Sequence, residues 1–303
     1  MNKKRLLLVG ILFLIVSTAG VFMLQKRSLN SVAESKKPLV CVSTFTLYEA
    51  STAIAGNTLN IYPIVPLGSD AHMFSPSPSQ VAKISESSFF IYNGAGFETW
   101  TESLKNTLPK EIQVIDMSTN VILLTEHGTN DPHYWLDIDN MIKMTQTLEN
   151  EFSKRFSKNV TLYHANAAAY IEKLQKLKSD YQSGLKECKN RTLISNHDAF
   201  GYLAHANELE NISIIGLSSD EQPSANVIAH IIELIKKHGI KTIFFEELIN
   251  DNVAQTIAKE TGAIALPLQP LENISENELK SHQTYELIMR SNLAKLTQAM
   301  ECR

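Results

Sequence analysis

The chain has 303 residues, 44% hydrophobic and 20% charged, with 32 acidic against 28 basic side chains and a net charge of −4. This excludes a disordered chain, a small disulfide framework and the basic stripe that neutralises phosphates, so nucleic acid is not an expected partner. The length accommodates about two domains, each with its own core.

Lys3, Lys4 and Arg5 precede an apolar run from Leu6 to Leu24. Such a run behind basic residues is an export signal. Its length exceeds the roughly 7–15 residues of a signal-peptide core and nears the ~20 that span a bilayer, which leaves an uncleaved anchor open. The basic flank stays in the cytoplasm and sends the rest of the chain outward. Residues 1–37 are therefore expected to be a signal peptide or N-terminal anchor plus linker. The body is expected to be exported, periplasmic or on the outer face of the cytoplasmic membrane, free or tethered.

Beyond the linker, short β-branched or aromatic runs alternate with helical patterns. The predicted strands are 38–43, 59–65, 88–92 and 112–116, then 191–195, 211–216, 241–246 and 263–267, and helical periodicity marks 47–55, 79–87 and 227–238. Alternation of this kind predicts an α/β fold of two similar lobes, each with a central, mostly parallel four-stranded sheet flanked by helices. Between the two strand sets, Met144, Leu148, Phe152 and Phe156 recur every four residues. Tyr163, Tyr170, Leu174, Leu177 and Tyr181 then continue a helical stripe with no Gly or Pro before Gly184. One long rigid helix over about 161–187 should join the lobes, with nothing in it to serve as a hinge. The expected boundaries are 38–158 for the N-terminal lobe, 159–187 for the connecting helix and 188–303 for the C-terminal lobe. Cys41, Cys188 and Cys302 allow at most one intramolecular bridge and leave the pair open. Cys41 lies in an apolar run that reads as a buried strand rather than as a lipid-acceptor site.

Nine histidines occur, and three stand apart by context. His72 follows an apolar strand and a turn, and precedes Ser75-Pro76-Ser77-Pro78. His133 sits in Asp131-Pro132-His133-Tyr134-Trp135-Leu136-Asp137, and His197 directly follows a strand in Ser195-Asn196-His197-Asp198-Ala199-Phe200. Ligands of open α/β sheets gather beyond the carboxyl ends of the strands, where all three belong. They lie 61 and 64 residues apart, far too distant for a local zinc finger, so a shared site has to be assembled by the fold in the cleft between lobes.

Taken with Asp70-Ala71-His72, the segment Asn166 to Gln175, Gly216-Leu217-Ser218 before Gln222-Pro223-Ser224, and Phe245-Glu246-Glu247 before Val253 to Ala263, these motifs run in order through about residues 38–299. Together they resemble the zinc and manganese solute-binding proteins of ABC importers, and most closely the ZnuA-like zinc branch. The resemblance implies two α/β lobes joined by one long helix, with a divalent metal ion bound between them and handed to an ABC permease in the inner membrane by a monomer with no chemistry of its own. The matching ligands are His72, His133 and His197. Histidine at the last position, where manganese-preferring relatives often carry a carboxylate, favours Zn2+, with Mn2+ as the alternative cargo. The fourth ligand comes from the loop after the final strand: Glu272 is the candidate, with Gln269 or water as alternatives.

Many relatives carry a long His- and Asp-rich loop before the second ligand, whereas 124–131 here is short and holds only His127. Asp131, Asp137 and Asp198 are candidates to orient imidazoles, Asp137 and Asp198 equally to cap helices. Two other classes compete with metal carriage. A zinc hydrolase would use the same histidines with water in the fourth position, but no HExxH signature or other base motif accompanies them. A surface adhesin is the other, a role described for relatives of this fold. Neutral imidazoles as ligands predict a zinc affinity that falls between about pH 7 and about pH 5.

Overall fold

The computed structural model describes residues 37–126, 128–217, 221–246 and 251–303. The apolar run at 6–24, His127, Ser218 and Glu247 lie outside the described residues. Among those described, no helix is long and apolar enough to cross a membrane.

The first sheet is built from β1 (Leu39–Val42), β2 (Asn60–Pro63), β3 (Phe89–Tyr92) and β4 (Gln113–Asp116), with α1 (Phe45–Ala55), α2 (Pro78–Ser85) and α3 (Thr101–Lys105) between them. All its pairings are parallel, in the order β2-β1-β3-β4. β1 and β3 are apolar on both faces because helices cover both, and every residue from Val40 to Val42 and from Phe89 to Tyr92 is buried. Helix starts follow capping chemistry. Ser77 and Gln80 form a reciprocal capping box ahead of Pro78, which fixes the start of α2.

The polar segment expected as a plain loop contains a small antiparallel hairpin, β5 (Thr125–Glu126) with β6 (Thr129–Asn130). Gly128, at φ 84°, supplies the left-handed backbone of its turn. Two helices follow, α4 (Ile138–Arg155) and α5 (Val160–Gly184). The second sheet then comprises β7 (Thr192–Ser195), β8 (Glu210–Ser213), β9 (Thr242–Phe245) and β10 (Ile264–Pro267). Around it lie α6 (Gly201–Ala206), α7 (Ala225–His238), α8 (Asn252–Thr261), α9 (Glu276–Lys280) and α10 (Tyr285–Ala299). Its parallel order, β10-β9-β7-β8, repeats the topology of the first sheet: in each, the first strand lies between the second and third.

The long helix α5 buries Tyr163, Ala167, Tyr170, Leu174, Leu177 and Tyr181 along one stripe and packs against α1 and α4 of the first lobe and α10 of the second. It ends at Gly184, three residues before the expected stop. The following residues turn to meet the C-terminus, where Arg303 N–H donates to the Glu187 carbonyl at 3.0 Å and Cys188 forms a disulfide with Cys302. Cys41 stays free and fully buried in β1, and burial pushes its thiol up to about 11. It is thus an inert packing residue.

One hydrophobic cluster runs through both lobes, from Val40 and Phe89 through Trp135 and Leu174 to Phe200 and Leu296, beside a smaller cluster in each lobe. Buried hydrogen bonds also cross between them. Trp135 Nε1–H donates to the Pro270 carbonyl at 2.7 Å, Tyr285 O–H to the Trp135 carbonyl at 2.7 Å, and Tyr202 O–H to the Asp131 carbonyl at 2.8 Å. The lobes are therefore braced on each other by more than the connecting helix.

Candidate metal centre

Two of the predicted histidines are delivered by the same local device. In Asp70-Ala71-His72 and Asp131-Pro132-His133, the carboxylate accepts the backbone N–H of the histidine two residues on, at 2.9 Å in both cases. These are turns closed by an aspartate side chain, and they fix the backbone that carries each imidazole. At His133 the same Asp131 oxygen also accepts from ring Nδ1–H at 2.8 Å. That contact fixes the tautomer and leaves Nε2 as the free donor atom. Phe97 packs edge-on to His72, with ring centroids 4.6 Å apart. It is carried by a loop in which Gly94 has φ 78° and a Cβ would lie 2.0 Å from Asp116 Oδ1, so any other residue there would be strained.

His197 leaves the carboxyl end of β7, at the point where the second sheet reverses direction. Glu272 arrives from the loop after β10. Leu271, with φ 63°, holds a left-handed conformation that costs a non-glycine residue of order 1 kcal/mol and turns the next side chain inward. The loop is pinned to the first lobe on both sides. Phe45 N–H donates to the Glu272 carbonyl at 3.2 Å, and the Asn273 amide donates to the carbonyls of Pro66 and Ser69 at 2.7 and 2.8 Å.

The four side chains His72, His133, His197 and Glu272 meet, each offering one ligand atom within 4.8 Å of the others. Glu272 Oε1 lies 3.1 Å from Nε2 of both His72 and His133, and those two nitrogens are 3.3 Å apart. Four donors placed tetrahedrally about 2.0–2.1 Å from a zinc ion would be separated by roughly 3.3 Å. Three of the donors therefore already form one face of a zinc-sized tetrahedron. His197 stands over that face, its ring centroid 5.1 Å from His72 and 5.0 Å from His133, with Nε2 3.0 Å from the Leu217 carbonyl oxygen. A cavity of about 400 Å3, lined by His72, Phe97, Pro132, Asp198, Leu217 and Glu221, leads from the surface to His72.

Burial disfavours charge on His133, yet its hydrogen bonds to Asp131 and Glu272 outweigh that and raise its pKa to about 9. His197 is likewise raised to about 9: burial opposes the shift, and the charge and hydrogen bond of Glu246 overcome it. Burial would raise Glu272, but the flanking imidazoles of His72 and His133 hold it well below the usual carboxylate range. The centre thus favours positive charge, whether carried as protons or as a cation.

The remaining candidates separate on geometry. Asp131 does orient an imidazole, as described. Asp137 instead caps α4 through the Asp139 N–H at 2.8 Å, the helix-cap alternative. Asp198 accepts from the Asn211 amide at 2.7 Å and touches no imidazole. Gln269 turns away from the centre, its amide donating to Glu278 at 3.2 Å and its oxygen accepting from Leu271 N–H at 3.3 Å. The residue that sequence reasoning missed in this role is Glu246, whose carboxylate lies 2.7 Å from His197 Nδ1. Its sequence signals were its place at the end of the predicted strand 241–246 and in Phe245-Glu246-Glu247.

A family model described as zinc-uptake complex component A, periplasmic, matches residues 40–299. The chain is 32% identical over 98% of its length to the zinc-binding protein AdcA of Streptococcus pyogenes serotype M1, of which it spans 61%. It is also 30% identical to the high-affinity zinc uptake system protein ZnuA of Bacillus subtilis, covering 97% of each chain. Among solved structures, the Zn(II)-bound ZnuA-like domain of Streptococcus pneumoniae AdcA is similar with a TM-score of 0.78 and 34% identity, over 88% of this chain and 99% of that one. The chain thus spans about three fifths of the length of the streptococcal AdcA proteins it matches.

Proposed function

Since the chain belongs to the ZnuA family of zinc-uptake components, we propose that it is an exported solute-binding protein that captures Zn2+ at His72, His133, His197 and Glu272 and delivers it to an ABC permease. The observation that carries this reading is the convergence of three imidazoles and one carboxylate, from segments spread over 200 residues of chain, at separations suited to a tetrahedral ion. Imidazole nitrogen with a single carboxylate suits zinc, whereas manganese favours oxygen-rich shells. The cleft is bounded by lobes taken as 38–158 and 188–303, joined through 159–187, and the protein works as a monomer. Four protein donors fill a tetrahedron and leave no position for a reactive water, which argues for carriage rather than hydrolysis. Export rests on the basic-then-apolar N-terminus, which places the protein on the side from which an importer draws its cargo.

Titration calorimetry of the purified protein with Zn2+ and Mn2+ tests the reading. One zinc per chain, bound more tightly than manganese and lost in His133→Ala and His197→Ala, is the expected result. Zinc binding unchanged in both variants would overturn the assignment of the site.

A further inference from the structure

His133 has its orienting carboxylate two residues away in sequence, but His197 takes its partner from another strand. Ser195 at the end of β7 pairs with Phe244 near the end of β9, and Asn196 N–H donates to the Phe244 carbonyl at 2.9 Å. The two strands therefore leave the sheet side by side, and His197, two residues beyond β7, meets Glu246, the residue after β9. The Glu246 carboxylate accepts from Nδ1 of His197 at 2.7 Å. Glu246 is 2% exposed and His197 fully buried. Glu246 also lines a small cavity of about 10 Å3 shared with Glu272, so it stands close behind the donor set.

A buried carboxylate is costly to keep unless a partner uses its charge. Here the partner is a ring with two nitrogens, and only one can carry the proton when the other binds a metal. With the proton held on Nδ1 by Glu246, the Nε2 lone pair is the one left for a metal ion once Nε2 gives up its 3.0 Å contact with the Leu217 carbonyl, and the adjoining negative charge strengthens it as a donor. That gain is larger for an ion that binds nitrogen strongly, and zinc stands well above manganese in that order.

Building on the zinc-carrier reading, we infer that Glu246 is the positioning residue of the centre: through His197 it fixes the donor nitrogen and widens the preference for zinc over manganese. Its test is Glu246→Gln, which keeps the shape and a hydrogen-bond acceptor while removing the charge, beside Glu246→Ala, which removes both. Zinc affinity should fall about 10–100-fold in Glu246→Gln and further in Glu246→Ala, a range expected for partners that orient metal-bound imidazoles. Manganese affinity should fall less, so the zinc-to-manganese ratio narrows. Substituted Co2+ should keep its tetrahedral absorption in Glu246→Gln, which separates a weakened donor from a lost site, and the thermal midpoint without added metal should fall at pH 7, where the His197–Glu246 pair contributes stability. Equal loss of both metals, or zinc affinity in the variants equal to that of a wild type that binds zinc, would overturn the role of Glu246 alone. A wild type that binds no zinc would instead remove the underlying reading. Should the variants fail to fold, 15N shifts of the His197 ring in zinc-loaded wild type decide: zinc on Nε2 with protonated Nδ1 is expected, and zinc on Nδ1 refutes the inference.

Discussion

At the proposed site, zinc would have to displace protons, and the structure says roughly how many. The pKa values of His133 and His197 are both raised to about 9, so each ring is mostly protonated at pH 7, and its Nε2 binds zinc only when that proton leaves. Two such rings would release two protons per zinc, and each proton makes affinity fall about tenfold per pH unit, or ~1.4 kcal/mol. The rings are not independent, since their centroids are 5.0 Å apart. At an effective dielectric of ~20, two unit charges at that distance repel by roughly 3 kcal/mol, equivalent to about two pKa units. The second proton is therefore held more weakly, and release at pH 7 should lie between about one and two per zinc. Affinity should drop about 10–100-fold per unit from pH 8 to pH 6. The decline thus begins above pH 7, higher than unperturbed imidazoles would place it, because Asp131, Glu246 and Glu272 raise the rings. Calorimetry at pH 6, 7 and 8 in two buffers of different ionisation enthalpy counts the protons, and chelator competition gives the affinities. Release below about half a proton at pH 7, with affinity flat across that range, would refute the argument. Without zinc the sign reverses. Groups whose folded pKa is raised stabilise the fold fully below about pH 6.5 and lose that contribution as pH rises through about 9.

Three further outcomes concern the frame around the site. Trp135→Phe removes a donor from the buried Pro270 carbonyl between the lobes and leaves space where a fully buried indole stood, which should destabilise the protein by about 2–4 kcal/mol in chemical denaturation. Cys188→Ser with Cys302→Ser opens a loop of 114 residues; loop-closure entropy puts the loss near 4.8 kcal/mol, and a calorimetric midpoint lower by roughly 8–9 °C for a body of this size. An unchanged midpoint would mean that this bridge does not form in the folded protein. Gly94→Ala forces a side chain into the Asp116 carboxylate from a backbone at φ 78°; it should lower stability by at least about 2 kcal/mol and loosen Phe97 against His72, read as weaker zinc binding.

Much of this was legible because the relevant signals are local. Val40 to Val42 and Phe89 to Tyr92 are apolar without alternation, as strands covered on both faces must be, and the spacing of Tyr163, Tyr170, Leu174 and Tyr181 set the stripe of the long helix. The aspartate two residues before His72 and His133 is also a sequence-level device, although only the structure shows that it closes a turn in both. What stayed hidden depends on pairings between distant segments. Glu246 reads in sequence as an ordinary acid at a strand end, and it becomes the partner of His197 only because β9 lies beside β7. Gln269 and Glu272 share one loop, and the left-handed Leu271 decides which of them faces the histidines. Three cysteines permit three pairings, and the choice of Cys188 with Cys302 follows from the C-terminus returning to the end of the long helix. The hairpin at 125–130 was concealed by its own polarity, since two-residue strands carry no period to read.

The arrangement of donors also sets what zinc does to the protein. His72 and His133 belong to the first lobe, His197 and Glu272 to the second, so a bound ion is a cross-link between halves already joined by the core and by α5. A ligand that binds only the folded state stabilises it by about 2.7 kcal/mol at a hundredfold excess over Kd and about 4.1 kcal/mol at a thousandfold excess. The latter is close to what the disulfide contributes by closing its loop. The disulfide, however, acts within the second lobe, whereas the ion acts across the cleft. The Trp135–Pro270 and Tyr285–Trp135 bonds also cross between the lobes, and each is worth only about 0.5–1.5 kcal/mol net. At the proposed site a bound zinc ion would therefore add a cross-lobe term of the same order as the disulfide, and its size would rise with pH, opposite in sign to the pH dependence of the protein without it.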